Sequence, residues 1–432
     1  MNLQNWRQRG INFLPFRYPN FGKLFFGQLV SNIGSQFSYI ALQFLIYDLT
    51  NDILAMAVLA IAETLPMILI GPWAGVIVDR VDRKYSMVIA NLSQAFVIFL
   101  IPITVILPNR VWWIIGLAFL NSVFARFFFP ARGASIPKLI EKREDLLAAN
   151  SLSAGAYQVS ALIGPFFAGV IIGLFGYDIP FIIDSFSFVF SSLTILWISI
   201  SLRAEQIENQ TPLQDLISGA MYIKNFQPIS FILILFSVLM FAGGASLILI
   251  IPYLRTEFGL IEKGVGEMMF GVMTAGSASV GMTVALLLSR KKDLSKPVTL
   301  ISWTSLLAGV MLFGFGIASS LWVLAIFWIG FGTIEVLVGI PLQTLTQETV
   351  PDQLRGKIFS FINLSITIAQ IMGMGVVSII ANTSLGIRGS LIANGIVLVV
   401  FFVVGYIWLV KKNLEMQVKT RKEALYKQIR LF

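Results

Sequence analysis

Twelve long apolar runs follow one another along this chain, and most of the links between them are short. An α-helix needs about 20 apolar residues to cross the hydrocarbon core of a bilayer, so each run predicts a membrane-spanning helix. The links leave no room for a soluble domain. We number the predicted spans 1 to 12, and they cover residues 24–47, 54–78, 85–107, 111–131, 148–174, 179–201, 228–254, 265–289, 297–317, 321–345, 356–381 and 387–410.

Composition supports the same interpretation. The 432 residues are 57% hydrophobic and only 12% charged, whereas a soluble domain carries about 25% charged residues. There is no Cys and no His, which excludes disulfides and thiol catalysis. It also removes the commonest metal ligand and the usual proton carrier near neutral pH. Any proton chemistry must therefore use carboxylates, and we expect no metal, no cofactor and no enzymatic activity.

The distribution of basic residues predicts the orientation of the spans. With the N-terminus inside, 26 of the 31 Lys and Arg residues fall in cytoplasmic segments, four fall in outer links and Arg126 lies within a span. The positive-inside rule then places both termini in the cytoplasm, in a plasma or inner membrane. We expect the bases to contact lipid headgroups and no nucleic acid. The polar, basic start of the chain predicts no removable signal peptide.

The longest link divides the chain into two sets of six spans. Similar landmarks recur in both sets, with Pro130 where span 4 is predicted to end and Pro341 where span 10 is predicted to end. This arrangement predicts two six-helix pseudo-repeats, with a substrate site near the bilayer midplane between them. The predicted domains are an N-terminal bundle, a cytoplasmic linker, a C-terminal bundle and a charged, helical cytoplasmic tail, at residues 1–201, 202–227, 228–410 and 411–432.

The link between spans 2 and 3 reads G-x-x-x-D-R-x-D-R-K from Gly75 to Lys84. It resembles the signature loop of the major facilitator superfamily, G-x-x-x-D-R-x-G-R-K/R, with Asp82 where the family most often has Gly. The resemblance covers essentially the whole chain and implies the major facilitator fold, an all-α membrane protein of twelve transmembrane helices. We expect Gly75 to let span 2 approach a neighbouring helix closely.

The resemblance also implies a gating role for this link. Asp79 falls at the cytoplasmic end of span 2, where a carboxylate can meet the positive end of another helix dipole. In the family that partner is the start of span 11, here near Arg355 and Gly356, and the contact holds the outward-open state. The other interpretation is an ordinary set of positive-inside charges. The remaining charged members of the gating loop are Arg80, Arg83 and Lys84.

A second motif lies in span 5, where residues 160–169 read S-x-x-x-G-P-x-x-A-G. It resembles the family's antiporter motif, G-x-x-x-G-P-x-x-G-G, with two glycines replaced by Ser and Ala, and the resemblance implies export. Small residues permit close helix packing, and proline loosens the hydrogen-bond ladder and allows a bend. The residues that we expect to form the motif are Gly164, Pro165, Ala168 and Gly169.

The loops after spans 4 and 10 narrow the resemblance further. The strings around Pro130 and Asn150, together with Val350–Lys357, are similar to the twelve-span drug–proton antiporters that include macrolide efflux proteins. This similarity implies a small-molecule substrate, protons as the coupling ion and a permissive apolar pocket. One chain supplies both halves, so a monomer would suffice.

Charges inside the membrane cost a few kcal/mol each and therefore persist for a reason. Glu63 falls near the middle of span 2 and Glu335 near the middle of span 10, in opposite halves. Both are candidates for proton coupling or substrate binding; the alternative is a protonated Glu that only ties helices together. Arg126 in span 4 is a third candidate, although snorkelling or helix pairing would also explain it. We expect Asp184, near the outer end of span 6, to be solvated at the membrane boundary.

The sequence thus favours a secondary transporter that exports small amphipathic or hydrophobic compounds in exchange for protons, by alternating access. Two alternatives remain within transport. One is an exporter or importer of an endogenous metabolite, lipid or siderophore on the same fold, and the other is a facilitator without ion coupling. From a different class, a non-transporting membrane sensor on the same scaffold also fits these residues.

Overall fold

A computed structural model describes residues 14–78, 80–142, 145–202, 212–262, 264–289 and 296–429. These residues form sixteen α-helices and two short 3-10 helices, at Leu14–Arg17 and Pro102–Ile106. The expected all-α class is therefore confirmed. The first eight helices are α1 Pro19–Thr50, α2 Ile53–Leu69, α3 Gly71–Val78, α4 Arg83–Leu100, α5 Arg110–Leu139, α6 Leu146–Phe175, α7 Asp178–Leu196 and α8 Pro212–Asn225. The others are α9 Gln227–Thr256, α10 Val265–Ser289, α11 Pro297–Ile317, α12 Leu321–Gly332, α13 Ile334–Thr349, α14 Asp352–Ala381, α15 Gly386–Lys412 and α16 Leu414–Ile429.

The predicted number of spans is confirmed. Eleven helical segments of the described chain are long and apolar enough to cross a bilayer, and α2 with α3 forms a twelfth when the bend between them is treated as part of one span. The bend measures 50° and falls at Ile70, two residues before Pro72. Proline lacks the N–H that would continue the ladder, and its ring displaces the preceding turn, which accounts for the kink.

The chain divides into two compact units. The first comprises residues 1–51, 62–208 and 261–275, and the second comprises residues 52–61, 209–260 and 276–432. In the first unit α7 packs against α1 and α4, α4 packs against α5, and α1 packs against α6. In the second unit α11 packs against α15, and α9 packs against both α14 and α15.

Two helices continue past the prolines at which we expected them to end. Span 4 was expected to end at Pro130, but α5 runs on to Leu139, and span 10 was expected to end at Pro341, but α13 runs on to Thr349. Those two expectations were wrong. A proline inside a membrane helix removes only one ladder hydrogen bond, and neighbouring side chains and helices can compensate for it. Span 6 ends earlier than expected, at Leu196.

The polar segments outside the spans are also largely helical. The part of the linker at 203–211 lies outside the described residues, and the rest forms α8, whose Tyr222 hydroxyl donates to the carbonyl oxygen of Thr349 at 3.1 Å. The tail forms α16, as expected, and its residues Leu414 and Val418 are buried. Apolar side chains on one side of this charged helix account for its packing against the rest of the second unit.

The carbonyl end of α7 is capped by two lysines of the first unit. Lys23 on α1 donates to the carbonyl oxygen of Trp197 at 2.6 Å, and Lys84 on α4 donates to that of Ile198 at 2.7 Å. The last carbonyls of a helix have no partner within it and carry partial negative charge. The ammonium groups satisfy these oxygens and fix the end of α7 against α1 and α4.

Candidate functional site

Glu63 lies on α2 in the first unit and is half-buried. Its Oε2 accepts a hydrogen bond from Gln43 Nε2 on α1 at 2.8 Å. This neutral amide is the only side chain among the described residues that forms a hydrogen bond with the carboxyl group. A carboxyl group held inside a span by an amide is not neutralised by a cation, so its charge depends on whether it carries a proton.

Arg126 and Glu63 meet through Ser122 on α5. The Ser122 hydroxyl donates to the backbone carbonyl of Glu63, and the Ser122 carbonyl accepts from Arg126 Nε at 3.3 Å. The guanidinium carbon of Arg126 also lies 5.9 Å from the centre of the Phe129 ring. Because α5 extends to Leu139, Arg126 lies near the middle of its helix. The structure therefore connects Arg126 to the backbone of Glu63 through Ser122, and among the described residues it shows no hydrogen bond or ion pair between their side chains.

Glu335 occupies a different environment in the second unit. It falls in the first turn of α13, directly after the break in span 10 at Thr333, and its side chain is exposed. At the break, Gly332 lies so close to Ser277 that a Cβ atom there would be 1.5 Å from the Ser277 hydroxyl oxygen. The interruption is a single residue, Thr333, whose backbone keeps a helical conformation. Glu335 thus lies just after a local irregularity in a continuous span, Leu321–Thr349.

The link Gly75–Lys84 is held to the first unit by its later residues. Asp82 is the N-cap of α4, and its Oδ1 accepts from the backbone N–H of Lys84 at 2.9 Å. This cap accounts for an Asp where the superfamily pattern has Gly. Arg83 is buried and its Nη1 donates to the carbonyl oxygen of Ala134 on α5 at 3.1 Å, whereas Arg80 is exposed. Asp79 lies outside the described residues.

Gly75 does not make the close helix contact that we expected. A Cβ atom built on Gly75 would have no described atom within 4 Å. The expectation failed because a glycine in a membrane helix indicates that close approach is possible, and the neighbouring helix decides whether it occurs. Gly356 is open in the same way, while Arg355 caps the end of α13 by donating to the carbonyl oxygens of Val350, at 3.1 Å, and Gln347.

The motif in α6 does form a closely packed seam, within the first unit. Gly164 packs on Gln36 of α1, whose Cβ lies 2.4 Å from the place a Gly164 Cβ would take. A Gly169 Cβ would lie 2.4 Å from the backbone nitrogen of Met268 at the start of α10. A Gly271 Cβ would lie 2.5 Å from the carbonyl oxygen of Pro165. We call these contacts of α6 with residues 264–271 the glycine seam. In this seam the backbone of α6 contacts the backbone of residues 264–271 directly. Ala168, which precedes Gly169, is buried.

A buried polar group at the start of α10 was not recognised from the sequence. The Tyr177 hydroxyl lies 2.7 Å from Glu267 Oε1 and also contacts Asp48 on α1, and Glu267 Oε2 accepts from the Gly264 N–H at 2.9 Å. Burial, reinforced by the charge of Glu267, raises the pKa of the Tyr177 phenol well above its ordinary value, so the hydroxyl remains a donor.

Asp184 was placed wrongly by the sequence reasoning. It lies on α7 with 1% of its surface exposed, and not at a solvated boundary. Its partners are serine hydroxyls on α1 and α7. The signal that could have found it is the polar spacing of α1, where Ser31, Gly34, Ser35 and Ser38 share one helix face and therefore predict a polar partner on the adjoining helix.

Comparison with known proteins agrees with this architecture. The family described as transmembrane secretion effector matches residues 11–429. The chain is 25% identical over 404 residues to the MFS-type transporter YfiS of Bacillus subtilis (strain 168), which covers 90% of this chain and 92% of the relative. It is 26% identical over 189 residues to macrolide efflux protein A of Streptococcus pyogenes, covering 43% of this chain and 46% of that protein.

Among solved structures, a bacterial homologue of the human lysosomal transporter Spinster superposes with a TM-score of 0.74. It covers 95% of this chain and 98% of its own, at 12% identity, so the likeness shows the fold alone. Twelve apolar spans on this fold define an integral membrane transporter. The chain belongs to the transmembrane secretion effector family of the major facilitator superfamily. Its bacterial relatives indicate the plasma membrane.

Proposed function

We propose that this transporter exports small amphipathic or hydrophobic compounds in exchange for protons. The observation that carries the proposal is the Glu63–Gln43 pair, a carboxyl group inside a span with a neutral partner. A glutamine amide can donate to a carboxylate or accept from a carboxylic acid. The pair therefore keeps its hydrogen bond in both protonation states, which is what a group that repeatedly binds and releases a proton requires.

Two further observations support export over import. The glycine seam is formed by the motif that resembles the family's antiporter motif. The partial similarity to macrolide efflux protein A suits a substrate that is small and lipophilic. In this proposal Glu335 is a second proton or cation-substrate site, and Arg126, whose guanidinium is connected to the Glu63 backbone through Ser122, is a third candidate.

The transport cycle that we propose is alternating access of two six-helix halves, residues 1–201 and 228–410, joined by the linker at 202–227. Proton binding favours one state and substrate binding favours the other, and linkage makes the two effects reciprocal. Both termini are cytoplasmic in this scheme, one chain is the working unit, and the link Gly75–Lys84 biases the equilibrium between the states.

The test uses purified protein in proteoliposomes with an imposed pH gradient and a panel of lipophilic dyes and macrolides. We expect gradient-dependent accumulation in inside-out vesicles, and its loss in Glu63→Gln or Glu335→Gln. Glu141→Gln is the matched control, because Glu141 is exposed on a link outside the spans. Gel filtration and a melting curve confirm that each variant is folded.

The other outcomes separate the alternatives. Unchanged accumulation in both Glu variants would contradict the carboxylate mechanism. Transport that survives dissipation of the proton gradient would indicate a facilitator, and movement in the opposite direction would indicate an importer. Ligand binding without flux would indicate a sensor.

A further inference from the structure

Asp184 lies between α7 and α1 and is 1% exposed. Its Oδ1 accepts from the Ser35 hydroxyl at 3.2 Å and from the Ser187 hydroxyl at 3.2 Å, and its Oδ2 accepts from the Ser38 hydroxyl. Three hydroxyl groups therefore surround one carboxyl group in the interior of the first unit.

The described residues give this carboxyl group no counter-charge. The helices that pack against α7 are α1, α4 and α6. Their titratable side chains are Lys23, Tyr39, Tyr47 and Asp48 on α1, Arg83, Lys84 and Tyr85 on α4, and Tyr157 on α6. None of these makes a hydrogen bond or ion pair with Asp184, and the other acid on α7, Asp178, is exposed. Inside a span, an uncompensated carboxylate is costly, so the protonation state of the group matters for the fold.

Two of the hydroxyls also have a second acceptor. The Ser38 hydroxyl oxygen lies 3.4 Å from the Ser35 carbonyl oxygen, and the Ser187 hydroxyl oxygen lies 2.7 Å from the Asp184 carbonyl oxygen. When Asp184 is ionised, all three hydroxyls can donate to it. When it is protonated, its own hydrogen goes to the Ser38 oxygen, and the Ser38 and Ser187 hydroxyls turn to these carbonyls. Every polar group is thus satisfied in both states.

The ligand that fits this site is a proton. A Cβ atom on Gly34 would lie 2.4 Å from the Ser187 hydroxyl oxygen and 2.9 Å from Asp184 Oδ1, so the main chain of α1 closes the site on one side. A purely structural serine on the same helix looks different, because among the described residues the buried Ser192 hydroxyl has one acceptor, the Phe188 carbonyl oxygen at 3.0 Å. A hydroxyl with alternative acceptors allows the carboxyl group to change its charge.

We propose that Asp184, with Ser35, Ser38 and Ser187, is a further proton-binding site, distinct from Glu63 and Glu335, which loads and unloads during the transport cycle. The coupling part of this proposal rests on the proposed proton-driven function, whereas proton binding itself does not. One O–H bond forms at Asp184 Oδ2 when a proton binds and breaks when the proton leaves, and no other reactant takes part.

The first experiment measures proton binding directly, by infrared titration of the purified protein. We expect a carboxylic acid C=O band that is lost as the pH rises and is absent from Asp184→Asn. Ser192→Ala is the control and retains the band. The Ser35→Ala/Ser187→Ala double variant keeps the carboxyl group but removes two donors that stabilise the ionised form, so its band should persist to higher pH. A band that is unchanged in Asp184→Asn would show that Asp184 is not the group that binds the proton.

The second experiment measures coupling in proteoliposomes. We expect Asp184→Asn to lose gradient-driven accumulation while it retains substrate exchange in the absence of a gradient. Accumulation at the wild-type level in Asp184→Asn would overturn the coupling role. Failure of the wild-type protein to use a pH gradient would instead contradict the proposed function, and the infrared titration would still decide whether Asp184 binds a proton.

Discussion

Replacement of Gly169 by Ala probes the glycine seam most directly. The new Cβ would lie 2.4 Å from the Met268 nitrogen, 2.5 Å from the Met268 Cα and 2.7 Å from the Glu267 carbonyl carbon. Ordinary contact begins near 3.4 Å, so the start of α10 must retreat by about 1 Å. All three atoms belong to the main chain, which cannot change rotamer to make room. Overpacking of this kind costs about 1–3 kcal/mol.

The assay is thermal unfolding of the purified protein in detergent. A folded unit of about this size loses roughly 2–4 °C of melting temperature per kcal/mol, so a cost of about 2 kcal/mol predicts a decrease of about 4–8 °C. Gly155→Ala is the matched control on the same helix, because a Cβ there would meet no described atom within 4 Å. We expect this control to melt at the wild-type temperature or slightly above it, since Ala favours a helix over Gly.

A double variant sharpens the test. Gly271→Ala, on the facing helix, would place its Cβ 2.5 Å from the Pro165 carbonyl oxygen. Once one substitution has widened the seam, the second meets less resistance, so the cost of the pair should be smaller than the sum of the single costs. Two results would refute the reasoning. One is a Gly169→Ala variant as stable as Gly155→Ala, and the other is a double variant whose loss of stability equals the sum of the two single losses.

Two further stability predictions follow from single hydrogen bonds. Asp82→Ala removes the N-cap of α4 and should lower the stability measured by thermal unfolding by about 1 kcal/mol. Asp82→Asn should retain most of the stabilisation, because asparagine also caps helices. An equal loss of stability in both variants would show that the charge of Asp82, and not its capping hydrogen bond, matters. Tyr177→Phe leaves Asp48 and Glu267 without their shared donor and should cost about 1–3 kcal/mol, while the exposed Tyr85→Phe serves as the neutral control; no difference between the two would contradict this account.

Hydropathy and charge predicted the fold well because a bilayer leaves the backbone few choices. Helices must satisfy their own N–H and C=O groups in lipid, so a long apolar run has essentially one structure. The ends of the spans were less predictable. Pro130 and Pro341 looked like helix ends, yet both helices continue, since tertiary packing outweighs the loss of one hydrogen bond.

The candidate site was only partly predictable, because a sequence does not give the rotation of a helix that is apolar all round. Glu63 and Arg126 were named correctly as charges within spans, but their connection through Ser122 depends on which faces of α2 and α5 meet. Asp184 was misjudged for the same reason: its distance from the end of span 6 suggested solvent, whereas its rotation buries it against α1. Gly75 shows the converse: it could allow a close helix contact, but no described atom lies within 4 Å of the place where its Cβ would be.

The lysines that cap α7 acquire a second meaning when the biosynthesis of the chain is considered. In the proposed orientation, Lys23 and Lys84 are among the charges that fix sidedness while the nascent chain enters the membrane. After folding, their ammonium groups hold the carbonyl oxygens of Trp197 and Ile198. The charges that orient the chain during insertion thus form hydrogen bonds to the end of α7 after this helix has been synthesised and has packed. Replacing either lysine by an uncharged residue therefore removes both a charge that orients the chain and a hydrogen bond of the folded protein.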